Sequence, residues 1–109
     1  NGTVKKIVNS NPGAISYLSF PYAHDTHIQK LSIDNVKPTN KNITTNKWKL
    51  WSYEHMYTKG EPNKQTKAFI KYMLGKKVQK DLVPKIGYLS INDMKVTRNS
   101  KNQVTQIGK

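Results

Sequence analysis

The sequence predicts an α/β chain, and three observations predict it. Trp51, Tyr53, His55 and Tyr57 alternate with Ser52, Glu54, Met56 and Thr58, the period of two that marks a strand. Directly after Gly60 and Pro62 the period changes, and Phe69, Ile70, Met73 and Leu74 fall on one helical stripe. The remaining apolar clusters then order the chain as helix, three strands, two helices and a short extended segment, which is an α/β succession.

Taken in order, Thr3 to Asn11 reads as the last turns of a helix, with Val4, Ile7 and Val8 at i, i+3 and i+4. Asn11-Pro12-Gly13 stops it. Ala14 to Leu18 is compact and mostly apolar, a strand expected to be buried. Ser19 to Asp25 is a loop or short helical turn. Ile28 to Ile33 reads as a second strand ended by Asp34-Asn35. Pro38-Thr39 opens a short segment in which Thr39 caps a turn of helix through Ile43. Asn46 and Lys47 lead into the aromatic strand from Leu50.

Asn63 is placed to cap the helix that follows, with Lys64, Lys67 and Lys71 opposite its apolar stripe and Gly75 at its end. A second helix is expected from Lys76 to Val83 on Val78 and Leu82, closed by Pro84 and Gly87. Tyr88 to Ile91 is short and extended. In the tail, Met94 to Thr97 and Gln103 to Gln106 alternate around the polar stretch 99–102, as an exposed β-hairpin or a disordered end.

Composition narrows the function. Over 109 residues, 35% are hydrophobic, low for a self-sufficient globule, which suggests a small wet domain or a piece of something larger. The absence of cysteine excludes disulfides, thiolate metal sites and thiol nucleophiles. No apolar run approaches the ~20 residues that span a bilayer. The net charge of +13 points at face value to an anionic partner. Yet Arg98 is the only arginine, and lysine lacks the planar fork that reads guanine or grips phosphate.

No catalytic or metal constellation emerges. His24 and His27, with Asp25 between them, have metal-like spacing but no third ligand, and read as a solvated pair. Glu54 and His55 are adjacent on a strand, so they point to opposite faces and cannot serve one substrate atom. One of them is expected in a polar cleft or hinge. Lys47-Trp48-Lys49-Leu50-Trp51 admits a stacking platform for single-stranded nucleic acid, but also an edge strand with one buried face. Gly-rich loops carrying Ser or Thr ahead of a helix, the usual phosphate cradle, are absent.

Three segments resemble a known family, in order. Pro12-Gly13-Ala14-Ile15-Ser16-Tyr17 is similar to a Pro-Gly-Ala-Ile-Gly-Tyr strand, with Ser16 in place of Gly. Trp51 to Pro62 matches a Trp-x-Tyr-Glu-His-Met-Tyr-Thr-Lys-Gly-Glu-Pro run closely. Phe69 to Ile91 resembles closing helices and a Gly-Tyr-x-Pro segment, here Gly87 and Tyr88 with Ser90 at the Pro position. The family is that of the phosphate-binding proteins of Gram-positive phosphate ABC transporters, and the resemblance runs from about Val4 to Met94.

The resemblance implies the C-terminal portion of a two-lobed periplasmic-binding-protein type II fold. Residues 1–49 would be the C-terminal part of the second lobe, and 50–109 the crossover strand and C-terminal part of the first. It implies a phosphate receptor without cofactor or metal, not an enzyme, lipid-anchored on the outer face of the membrane and partnered by permease subunits. The family's phosphate ligands are expected upstream of Asn1, so no ligand residue is assigned. Ser52, Tyr53, Glu54 and His55 are the hinge or cleft candidates. A chain holding parts of two lobes leaves sheet edges open, and rearrangement, self-association or a longer parent chain would each close them. The rival reading is a small basic nucleic-acid-binding domain using Lys and Trp contacts.

Overall fold

A computed structural model describes residues 1–24 and 27–108. Helix α1 (Gly2–Ser10) comes first, and its final carbonyls are taken up locally. The Ser10 hydroxyl donates to the Lys6 carbonyl at 2.8 Å and the Asn11 amide to that of Ile7 at 2.7 Å. Pro12 and Gly13 then occupy the centre of a tight turn closed from Ala14 N–H to Asn11 C=O at 3.1 Å. Gly13 sits at φ +83°, the left-handed value a type II turn demands after proline.

The segments expected to be strands are extended, but they do not form a sheet. Residues 14–19 have no ladder partner, and Ile15 and Tyr17, expected to be buried, are 77% and 85% exposed. Strand character is a property of a pair, and no other described segment supplies the second strand. The stretch 28–33 stops after a single bridge, Ile33 to Val36, across a two-residue turn in which Asp34 and Asn35 both take positive φ. The next hydrogen-bonded pair in that register would be Leu31 with Pro38, and proline has no N–H to give.

Helix α2 (Asn40–Thr44) begins where Thr39 caps it, its hydroxyl accepting from Asn42 N–H at 3.2 Å. Helix α3 (Lys64–Met73) begins in the same way on Asn63, whose side chain accepts from Thr66 N–H at 2.8 Å. Its inward face differs from the expectation. Thr66, Ile70 and Met73 are half-buried, whereas Phe69 and Leu74 are more than half exposed. The helical segment after Gly75 is wider than an α-helix over Val78–Leu82, then continues as α4 (Val83–Lys85).

The second helix therefore passes through Pro84 instead of ending before it. In a regular α-helix the proline ring would meet the carbonyl four residues back. Here the preceding turn is π-helical, with Val83 N–H donating to Val78 C=O, and the widened turn accommodates the ring. The end is a Schellman closure: Gly87 N–H donates to Pro84 C=O at 3.0 Å and Tyr88 N–H to Val83 C=O at 3.1 Å. Gly87 takes φ +92° there.

The tail is a hairpin of β1 (Val96–Arg98) and β2 (Val104–Gln106), antiparallel with Thr97 opposite Thr105. Asn99 organises its loop, its side-chain oxygen accepting from the N–H groups of Lys101 and Gln103 at 3.0 Å each. The expectation of an exposed hairpin holds for β2 but fails for β1, because Val96 is fully buried. Lys95 N–H donates to Thr44 C=O at 2.8 Å, tying the hairpin to the end of α2. The small core is Ile43, Val78, Met94 and Val96.

Candidate functional site around the aromatic run

The aromatic run is extended from 49 to 58 and carries no ladder among the described residues. Its alternation still places every second side chain on one face. Trp51 and Tyr53 meet edge to face with ring centroids 5.3 Å apart, Tyr53 and His55 at 6.2 Å, and His55 and Tyr57 at 5.7 Å. Four rings thus line one side of the segment. Ser52 and Glu54, both exposed, belong to the other side.

One residue fastens the start of this run. The Arg98 guanidinium lies over the Trp51 ring, 4.0 Å from its centroid. Its Nη1 donates to Trp51 C=O at 2.5 Å, and its Nη2 donates to Lys49 C=O at 3.0 Å and to Asn46 Oδ1 at 3.3 Å. The same Asn46 oxygen accepts from the Trp51 indole N–H at 2.9 Å. The backbone N–H of Arg98 donates to the Tyr53 hydroxyl at 3.3 Å. A planar fork with several fixed donors can meet that set of acceptors at once, which a lysine cannot. Asn46 reaches its place at φ +59°, a left-handed value that asparagine tolerates better than most residues.

Of the four hinge or cleft candidates, Tyr53 and His55 share the ring face, and Tyr53 alone is half-buried. Ser52, Glu54 and His55 are exposed. Arg98 and Asn46 are the two participants the sequence reading did not assign. The signal that points to Arg98 is its being the one arginine among 19 basic residues. Asn46 gives no comparable signal.

The other candidate chemistry stays apart. His24 and His27 are both exposed, Asp25 lies outside the described residues, and no group of three metal-binding side chains occurs among the described ones. The two tryptophans do not share a platform. Trp48 is half-buried with Phe20 at 6.5 Å, and Lys30 lies over the Phe20 ring, whereas Trp51 is engaged by Arg98. Among the described residues no helix is long and apolar enough to cross a membrane.

Comparison with known proteins gives this arrangement a family. A family model described as a PBP superfamily domain matches residues 1–77. The chain is also 45% identical over 103 residues, 94% of its length, to the phosphate-binding protein PstS of Bacillus subtilis (strain 168). It spans about a third of that relative, 34% of its length. Mixed helix and strand and a match over most of the chain agree: the chain belongs to the PBP superfamily and carries a portion of its α/β fold.

Proposed function

We propose that this chain is the C-terminal portion of a solute receptor that captures inorganic phosphate for an ABC importer. The observation that carries the reading is the 45% identity to a protein named as phosphate-binding, sustained over nearly the whole chain. The receptor is non-enzymatic, extracellular, lipid-anchored to the outer face of the membrane, and docks on permease subunits. Residues 1–49 belong to its second lobe, and 50–109 hold the crossover strand and the end of the first. The phosphate ligands come from the part of the receptor outside this chain. Ser52, Tyr53, Glu54 and His55 lie at the hinge or the cleft edge. The large exposed apolar side chains, Phe69, Tyr72 and Leu74 on and after α3 among them, support a chain that packs against further protein.

The nucleic-acid reading draws no support from the comparisons, and Trp48 and Trp51 are engaged by different partners, Phe20 and Arg98. Calorimetry on the full-length protein tests the proposal. With inorganic phosphate at roughly 0.15 M salt we expect one site with a Kd of a few micromolar, near the limit that about −1.5 kcal/mol per heavy atom sets for so small a ligand. A single-stranded oligonucleotide should give no signal at that salt. Failure to bind phosphate, with oligonucleotide affinity that collapses as salt rises, would falsify the receptor reading.

A further inference from the structure

We propose that Arg98 is a latch that sets phosphate affinity by fixing the root of the crossover strand, an inference that rests on the receptor reading above. The contacts of Arg98 straddle the proposed lobe boundary. Asn46 and Lys49 are the last residues before it, Trp51 and Tyr53 the first of the crossover, and Arg98 itself comes from the hairpin on the far side. One side chain therefore joins the hairpin to both sides of that boundary, across 47 to 52 residues of sequence.

The geometry is that of a joint held in one conformation. The guanidinium uses both terminal nitrogens on backbone and side-chain oxygens while its plane covers the indole. Asn46 Oδ1 accepts from Arg98 and from Trp51 together, so a rotation at residues 46–51 breaks both bonds at once. Arg98 Nε is buried without a hydrogen-bond partner, so the polar contacts of the side chain are all made by its two end groups. The consequence is preorganisation. A receptor whose strand root is already ordered loses less conformational entropy when its lobes close on phosphate. Arg98 touches no ligand in this scheme; it is a positioning residue.

The test uses the full-length receptor with inorganic phosphate as the probe, comparing wild type, Arg98→Lys and Trp51→Phe. Arg98→Lys keeps the charge but loses the fork. Trp51→Phe keeps a ring beneath the guanidinium but loses the indole N–H bond to Asn46. Phosphate titration by calorimetry is paired with small-angle scattering of the phosphate-free and phosphate-saturated forms. We expect Arg98→Lys to bind phosphate about tenfold more weakly, and Trp51→Phe a few-fold more weakly. The radius of gyration should rise only in the phosphate-free state. Destabilisation of the fold alone would leave the scattering of the folded phosphate-free protein unchanged. If wild type binds phosphate and both variants bind within about twofold of it, or lose affinity with unchanged phosphate-free scattering, the latch is overturned and the receptor reading stands. If wild type binds no phosphate, both fall. Should Arg98→Lys not fold, the Trp51→Phe comparison decides by the same two readings.

Discussion

At Gly87 two independent constraints meet in one residue. Its φ of +92° lies where an L side chain is strained. A Cβ built there would lie 3.2 Å from the Cδ2 of His24 and 3.4 Å from the Pro21 Cα, so the end of α4 approaches the Phe20–Ala23 turn as closely as a bare backbone allows. The Pro21 contact is of ordinary van der Waals length, so it is the His24 ring that would have to give by a few tenths of an ångström. Gly87→Ala is therefore expected to lower stability by about 1–3 kcal/mol, from the left-handed backbone and the contact together. Urea unfolding of the full-length protein measures it; an unchanged midpoint would mean that the close approach is not retained.

Between elements, the decisive contact is polar. Gln79 is buried on the π-helical turn and spends both ends of its amide: Nε2 donates to Met73 C=O at 2.9 Å, while Oε1 accepts from Ser90 Oγ at 3.2 Å and from Ile91 N–H at 3.1 Å. One side chain thus closes the end of α3 and holds the 90–93 turn against the following helix. An apolar replacement of similar size strands a half-buried carbonyl, a buried hydroxyl and an N–H. Gln79→Leu is expected to cost about 2–4 kcal/mol on that ground. Hydrogen exchange should show the loss first at Ile91 and Asn92, and exchange at those amides equal to wild type would sink the account.

For the whole molecule, the surface is the informative quantity. The chain exposes 9154 Å², against about 6,200 Å² for a folded monomer of this size. Its radius of gyration is 16.2 Å, where about 13 Å is ordinary. Among the described residues, four buried hydrophobic side chains offer little to offset the conformational entropy of the chain. The isolated chain should therefore exchange the amides of residues 15–18 and 54–58 as fast as an unstructured peptide and should bind a hydrophobic dye. In the full-length protein those amides should be protected. Protection in the isolated chain, without self-association by sedimentation, would show that these segments find partners within the chain.

What the sequence determined by itself is whatever depends on a few neighbouring residues. The caps at Thr39 and Asn63, the Pro12-Gly13 turn, the Asp34-Asn35 turn and the hairpin around Asn99 are all local hydrogen bonds or backbone preferences, and each lies where the residues indicate. The aromatic run was legible as well, since alternation in an extended segment puts Trp51, Tyr53, His55 and Tyr57 on one face with or without a sheet. Tertiary structure alone decided the rest. Whether Ala14 to Leu18 is buried depends on a partner strand that no local pattern names. Passage through Pro84 depends on a π turn, and the face α3 buries depends on what packs against it. The joining of Arg98 to Asn46, Lys49, Trp51 and Tyr53 could not be read in advance, because those contacts bridge sequence separations that periodicity does not reach. Local signals fix conformation over a turn or two, and only the folded chain brings distant residues to one place.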